Sequence, residues 1–545
     1  MIHSDKAFNQ ITGTARKRNF SVGDQIEVSG FYKPHDKYQV ELKFEYNLDE
    51  EIDPNQFLVE TYLFVPQSLG LSDYLNRATD YFPDITSYMR YSVQSLSLIE
   101  LADLEYELSP LSRLLKFLQT GETTGKSSDR KSFFLYESKL FTCMFKESIK
   151  KEFSNVDVLI AFCQKGEKEI GSLCDFFTSL YKGIQLLKGN FEQINALLKV
   201  SDRVSEDDKA GFDAISEFFF FELNLFYITF TRKLIKISDI KHADLASLKI
   251  DVREDYKILR RLGIDAGYLV IDGDSSQDDR EQYIYRESKL KKFVSSVLFL
   301  NQDVKSNKKA EEFFFSIAAG VAMLFAAVVA LLTAQSYDIN SFPWVISLVI
   351  AYIIKDRSKA WMQDKFRNLV PTYLSNRTEK LIDEGVGKVG RINEWLSFRS
   401  DNFIPKDILD VRLKNREMVG AFKKSEDVLY YKKLISLEPK IIFANHQRVN
   451  NVVNILRFNV QKFCQQMDDP KKKLNYLNDD GSVDSYTGKK VYHINLVIKI
   501  TSKYGTDGKE TETLNLRLVL SRDGIERIES PNQTPSEELF EVIWI

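Results

Sequence analysis

The stretch that decides the fold is residues 313–334, FFFSIAAGVAMLFAAVVALLTA, a run of 22 residues without a charged side chain. A helix of about 20 apolar residues matches the roughly 30 Å hydrocarbon core of a lipid bilayer. A second apolar run, Phe342–Ile354, follows after a short polar loop. Together the two runs predict a transmembrane helical hairpin with spans at about 313–334 and 341–355.

Basic residues flank this hairpin on both sides and are missing from its loop. They are Lys305, Lys308 and Lys309 before the first run and Lys355, Arg357, Lys359, Lys365 and Arg367 after the second. The loop, Gln335–Ser341, contains one acid and no base. Basic residues stay on the cytoplasmic side of a membrane. We therefore expect a multi-pass protein of a bacterial cytoplasmic membrane, with both termini cytoplasmic and the loop outside.

The second run is the shorter of the two. Its 13 residues extend about 20 Å as a helix, which is less than a full crossing. Ser341 as a helix N-cap, Pro343 in the first turn and a snorkelling Lys355 favour a crossing nevertheless. The alternative is a re-entrant or buried helix.

Small residues form a stripe on the first run, where Ala318, Ala322, Ala326 and Ala330 recur every four residues. Such a stripe lets helix backbones approach closely in lipid. It predicts packing of the hairpin on itself, or else self-association or docking of a membrane protein partner through this face. Neither run contains an ionisable residue, which argues against transport or conduction by a single copy.

The rest of the chain has the composition of a water-soluble protein. The mean hydropathy is −0.27 and the net charge is −3, so no basic field indicates nucleic-acid binding. The four cysteines, at positions 143, 163, 174 and 464, contain no close pair. This spacing argues against a zinc ribbon or a redox motif and favours reduced thiols.

Both ends of the chain predict antiparallel β structure, in regions 1–91 and 471–545. Tyr38–Tyr46 and Tyr492–Ile500 alternate apolar and polar residues, as does Leu514–Leu520. Phe57–Val65 is apolar on both faces, as in a central strand. Because a sheet of two or three strands is only marginally stable alone, we expect the two regions to pack together as one cytoplasmic head.

Between these ends the pattern is mainly helical. Region 92–304 contains long apolar-periodic segments, and residues 218–230, FFFFELNLFYITF, are expected to form a buried core helix. Region 358–470 is also predicted to be helical, with Val449–Met467 as an amphipathic helix. With the hairpin region 305–357, the chain is predicted to be an α+β membrane protein with terminal β regions and a mainly helical middle.

Two local motifs suggest chemistry at first sight. Gly121–Ser127 (GETTGKS) resembles a phosphate-binding loop, but three residues separate its glycines instead of four and its upstream segment is predicted to be helical. Asp272 and Asp274 belong to an acidic cluster that could hold a divalent cation. A polar surface loop and a solvated acidic turn are the preferred interpretations of the two motifs.

The sequence therefore predicts no catalytic, cofactor-binding or metal-binding residue. The leading interpretation is a membrane-anchored scaffold, sensor or assembly protein without enzymatic activity. The first alternative is a membrane-tethered enzyme dependent on a metal or a nucleotide, built around Lys126, Asp272 or Asp274. The second is an oligomerising membrane effector. The expected partners are the lipid bilayer and another protein or a second copy.

Overall fold

The structure is a computed structural model that describes most of the chain. The described residues are 26–69, 78–123, 132–164, 170–237, 243–306, 308–338, 341–373, 375–399, 403–413, 426–504 and 508–530. Helices and strands both make up large parts of them, so the mixed α and β character predicted from the sequence is confirmed.

The described strands all pair in antiparallel fashion. They are β1 (Ile26–Pro34), β2 (Gln39–Asn47), β3 (Asn55–Pro66), β4 (Ile85–Val93), β5 (Asn301–Ser306), β6 (Arg377–Asp383), β7 (Gly387–Arg399), β8 (Glu426–Leu437), β9 (Val449–Asn459), β10 (Lys471–Leu477), β11 (Val483–Lys489), β12 (Tyr492–Tyr504), β13 (Gly508–Ser521) and β14 (Gly524–Glu529).

Three sheets result from this pairing. One has the order β14-β13-β12-β3-β8-β7-β6-β5, a second has the order β1-β2-β9-β4, and β10 with β11 forms a separate hairpin. Side chains of the two larger sheets meet in the core: Tyr46 stacks on Phe57 at 4.7 Å between ring centroids, and Tyr431 meets Phe458 edge-on at 6.2 Å. The two larger sheets therefore face each other across shared apolar side chains.

The described helices fall into a helical part, a hairpin and short connecting pieces. They are α1 (Leu98–Ala102), α2 (Pro110–Thr120), α3 (Phe133–Gln164), α4 (Ile170–Val200), α5 (Glu206–Lys236), α6 (Ala243–Asp265), α7 (Gln277–Ser295), α8 (Lys308–Ser336), α9 (Phe342–Tyr373), α10 (Lys406–Leu413), α11 (Pro439–Asn445) and α12 (Gln461–Gln465).

The predicted packing of the two chain ends into one head is confirmed. The two ends pair strand to strand, which is a closer contact than expected. Strand β3 from the N-terminal region pairs directly with β12 from the C-terminal region, with Leu63 opposite Leu496. Strand β2 pairs with β9, which belongs to region 358–470, with Leu42 opposite Leu456. The N-terminal and C-terminal regions therefore share one sheet, and neither is a separate unit.

The prediction of a helix at Val449–Met467 is wrong, because most of this segment is strand β9. Its inward positions Val452, Asn454, Leu456 and Phe458 alternate as a strand requires, and all four are buried. The polar Asn454 interrupts the apolar alternation, because it faces a buried lysine on the opposite sheet. The interrupted pattern matched a helical period by coincidence.

The wider prediction of a helical region at 358–470 is wrong for the same kind of reason. Strands β6, β7, β8 and β9 occupy much of it, and the helical structure is limited to the second half of α9 and to α10, α11 and α12. Strand β8 pairs with β3, far away in the chain. Such long-range pairing stabilises strands that local patterns do not reveal.

The helical part between β4 and β5 is built on phenylalanine. Phe219 of α5 lies 5.4, 4.9 and 4.4 Å, between ring centroids, from Phe141, Phe145 and Phe191 respectively. Residues Phe218–Phe221 are each at most 5 % exposed, so the prediction of a buried core helix for 218–230 is confirmed. The lysine Lys146 pairs with the buried Glu222, the charge that interrupts this apolar run.

Candidate functional site

The most distinctive element of the molecule is the helical hairpin of α8 and α9, inserted between two neighbouring strands. Strand β5 leads into α8, and α9 leads back into β6. The two strands pair at the edge of the larger sheet, with Ser306 opposite Arg377 and Lys305 opposite Thr378. Because entry and exit lie side by side, α8 and α9 leave the head and return to it at one place.

The two helices pack along their length through faces that recur every three or four residues. On α8 the buried or half-buried residues include Phe315, Ala318, Ala322, Ala326, Val329 and Thr333. On α9 they include Trp344, Leu348, Ala351, Lys355, Ser358 and Met362. This spacing is typical of antiparallel helix pairs that pack as in a coiled coil.

The predicted alanine stripe lies largely on this internal face. Ala318 and Ala322 are 0 % and 2 % exposed, and Ala326 and Ala330 are half-buried. Ala351 of α9 is 4 % exposed. The stripe thus serves the packing of the hairpin on itself, and a partner could not contact Ala318 or Ala322 while the hairpin stays closed.

The outward face of α8 is apolar and uncovered. Large side chains on it are 40–67 % exposed, namely Phe313, Ile317, Val321, Met323, Leu324, Phe325, Val328, Leu331 and Leu332. Residues Glu312–Ser336 form a helix long and apolar enough to cross a membrane, and only 11 % of its most apolar stretch is buried. Soluble monomeric proteins rarely expose so large an apolar surface.

The outward face of α9 has two different halves. From Phe342 to Ile354 it is apolar and exposed, whereas from Asp356 onward it presents charged side chains to the outside. The described charges on this outer face are Asp356, Arg357, Lys359, Asp364 and Lys365. Within the described residues, α8 is the one helix that meets the criteria of length and composition for a membrane span, and α9 does not. The predicted two-span hairpin is therefore supported for one helix only.

The register of the two helices places charges beside apolar surface. The rings of Phe314 and Phe366 lie 5.7 Å apart between centroids. In an antiparallel pair this contact puts residues 355–365 of α9 beside about 315–325 of α8. The hairpin is thus apolar on both helices only in the half distant from the head.

The described residues that the sequence suggested for metal chemistry, Asp272 and Asp274, belong to a surface loop. Asp272 and Asp274 lie in an exposed loop between α6 and α7, and Asp272 accepts hydrogen bonds from the backbone and hydroxyl groups within that loop. Asp279 caps α7 together with Ser276. Gly121 ends α2 in a left-handed conformation, and Lys126 lies outside the described residues. Among the described residues, no group of three or more potential metal ligands is found.

A buried cluster of charges joins the helical part to the sheets, and no sequence motif predicts it. Arg448, at the start of β9, donates two hydrogen bonds of 2.7 and 2.6 Å to Glu137 of α3. Arg113 of α2 lies 3.7 Å from the same carboxylate. All three side chains are at most 4 % exposed. Arg448 and Glu137 are 311 residues apart in the chain, so no local motif could reveal their pairing.

A histidine lies next to this cluster. Nε2 of His446 is 2.8 Å from Oδ2 of Asp383, at the end of β6, and Nδ1 is 3.2 Å from the hydroxyl of Tyr136 on α3. A cavity of about 10 Å³ beside Arg113, His446 and Arg448 has room for about one water molecule. This arrangement fits a structural contact between elements better than a substrate site, because the cavity is too small for a substrate.

A second buried cluster lies between the two larger sheets. Lys433 of β8 is fully buried and donates hydrogen bonds to Ser87 of β4 and to Asn454 of β9. Its Nζ is 4.0 Å from Glu394 of β7, whose carboxylate also accepts a hydrogen bond of 2.6 Å from Tyr431. Burial lowers the pKa of Lys433, whereas the nearby carboxylates raise it. The lysine therefore anchors one sheet to the other.

Strand β6, which returns from the hairpin, contributes a carboxylate to the same cluster. Glu379 pairs with Arg377 and is fully buried. Burial and the neighbouring Glu394 raise the pKa of Glu379. The return strand of the hairpin is thus fixed in the head through Glu379 at its middle and through Asp383 at its end.

The comparisons with known proteins add no assignment. No protein-family model, no curated protein and no solved structure matches this chain. Functional conclusions therefore rest on the residues and the geometry described above.

Proposed function

We propose that the protein is a membrane-anchored scaffold or assembly protein, held at the cytoplasmic surface by the hairpin of α8 and α9. The observation that carries this proposal is the uncovered apolar face of α8. Its run Phe313–Ala334 extends about 33 Å, close to the roughly 30 Å core of a bilayer. Lipid is the environment in which side chains such as Leu324 and Leu331, both more than 60 % exposed, are stable.

The pairing of β5 with β6 at the base of the hairpin supports an arrangement with the whole head on one side of the membrane. Since β5 and β6 pair, both ends of the hairpin return to the same sheet edge. A helix that leaves this edge and crosses the bilayer must therefore be followed by a second crossing. The exposed Lys365 of α9, near the head, suits the cytoplasmic side.

The interior of the head supports a structural role for its buried charges. Glu137 faces Arg448, and Lys433 faces Glu394, so both pairs join buried charges of opposite sign. Such pairs hold separate elements in fixed positions. We therefore favour a head that presents surfaces to other proteins over one that converts a substrate.

Membrane fractionation tests the proposal. The full chain is expected to sediment with membranes and to resist extraction by alkaline carbonate, which releases peripheral proteins. The matched control joins Ser306 to Arg377 by a short Gly-Asn turn, since these residues already pair. This variant is expected to remain folded and to move to the soluble fraction. Release of the full chain by carbonate would contradict the proposal.

A further inference from the structure

The two apolar runs of the hairpin differ in length. In a single copy in a bilayer, nothing compensates for this difference. The apolar run of α8 extends about 33 Å, whereas that of α9, Phe342–Ile354, extends about 20 Å. The contact between Phe314 and Phe366 fixes the two helices against each other. If α8 spans the hydrocarbon core, the segment Asp356–Lys365 of α9 must therefore lie at membrane depth.

We propose that copies of this chain assemble in the membrane, with α8 facing lipid and the charged half of α9 facing a shared, water-filled vestibule. This inference rests on the proposed membrane anchorage and adds the partner, a second copy of the chain. Charged residues at membrane depth almost always face a bundle interior or a water-filled cavity. The side chains of Arg357, Lys359 and Lys365 on α9 are exposed, so water or another chain can cover them. Asp356 pairs with Lys355 of its own helix at 3.5 Å.

The apolar outer face of α8 suits contact with lipid, and the charged outer face of α9 suits the water-filled vestibule. Val321 on α8 is 48 % exposed and is surrounded along its face by apolar side chains such as Ile317 and Leu324. Lys359 on α9 lies at about the same height, because the register pairs it with position 321. One side of the hairpin is thus suited to lipid and the opposite side to water at the same depth.

The half of α9 distant from the head completes the arrangement. Its exposed residues Val345, Val349 and Ile353 are apolar and would pack between copies beyond the vestibule. The vestibule would therefore open toward the head and close toward the loop. Both signs of charge occur on its wall, with Arg357 and Lys359 next to Asp356, so neighbouring copies can also pair across it.

Cysteine labelling in membranes tests this inference at the matched pair of positions. Lys359→Cys and Val321→Cys are made in the full chain, and a hydrophilic maleimide is added from the head side of inverted vesicles, with the unchanged chain as the background control. Burial raises the pKa of a thiol, so a thiol in lipid reacts about tenfold more slowly for each unit of that rise. We expect Lys359→Cys to be labelled at least tenfold faster than Val321→Cys.

Cross-linking of the same two cysteine variants tests whether copies of the chain lie next to each other in the membrane. A short bis-maleimide is expected to join Lys359→Cys chains into dimers and larger species and to leave Val321→Cys chains single. Equal labelling of both positions would indicate a hairpin that lies shallow, at the level of the lipid headgroups, and would overturn the inference. Slow labelling of both, or failure of Lys359→Cys to cross-link, would overturn it too. If carbonate releases the full chain, the anchorage itself fails.

Discussion

Ser306 and Arg377 are opposite residues on the paired strands β5 and β6, and the entire hairpin of α8 and α9 lies between them in the chain. A long insertion between neighbouring strands leaves the sheet intact, because its two ends are already adjacent. The head can therefore fold around β5 and β6 whether or not the hairpin has reached its final environment. Arg377 also connects the hairpin to the interior of the head through its pair with Glu379.

The buried cluster around Glu137 is expected to be essential for stability. Glu137→Gln leaves Arg448 and Arg113 without the carboxylate that faces both of them. Removal of one partner of a buried ion pair costs about 3–5 kcal/mol. Urea denaturation followed by circular dichroism should show this decrease in the free energy of unfolding.

The control for that experiment is Glu147→Gln on the same helix, where the side chain is 36 % exposed and lies 3.9 Å from Lys150. A change within about 0.5 kcal/mol is expected for such a surface position. Equal effects of the two substitutions would show that the cluster does not join the helical part to the sheets.

The carboxyl of Glu379 should make stability depend on pH. Its pKa is raised above the ordinary value of 4.5, so the folded protein favours the protonated form. The stabilisation from protonation is fully present below pH 4.5 and is lost as the pH rises through the raised pKa. Each unit of the shift corresponds to about 1.4 kcal/mol.

Glu379→Gln replaces this carboxyl by a neutral group of the same shape. The variant is expected to have a higher Tm than the unchanged protein at pH 8 and nearly the same Tm at pH 4. Thermal denaturation at the two pH values measures this, with the exposed Glu384→Gln as control. A lower Tm at pH 8 would mean that the pair with Arg377 outweighs burial and repulsion from Glu394.

The phenylalanine core of the helical part should depend on its central ring. Phe219→Ala removes a side chain that contacts three other phenylalanines and leaves a cavity, at a cost of about 3–5 kcal/mol. Ile235→Ala on the same helix alters a side chain that is 58 % exposed and should cost much less. Comparable losses in chemical denaturation would argue that the described packing is incorrect.

Local sequence patterns correctly predicted the elements whose buried face contains only apolar residues. Strand β2 alternates strictly, with Val40, Leu42, Phe44 and Tyr46 at most 1 % exposed. The helix prediction for strand β9 is wrong because the polar Asn454 occupies an inward position. There it accepts a hydrogen bond from Lys433 on another sheet. The polar partner that explains this residue is invisible in the local sequence.

In the candidate site, too, some features are visible in the local sequence and others depend on long-range structure. The apolar run of α8 was evident from composition, and so was the alanine stripe, whose packing partner proved to be α9. The depth of the charges on α9 was not evident, because it depends on the register set by Phe314 and Phe366. The clusters of Glu137 and Lys433 could not be found either, since long-range topology alone brings their members together.

The most direct test of the account is the side of the membrane on which the loop between α8 and α9 lies. Asp338→Cys in the exposed loop is treated with a membrane-impermeant maleimide in intact cells, next to Lys365→Cys near the head. If the hairpin crosses the membrane twice, Asp338→Cys is labelled without permeabilisation and Lys365→Cys only after it. Labelling of Asp338→Cys only after permeabilisation would contradict a hairpin that crosses the membrane twice.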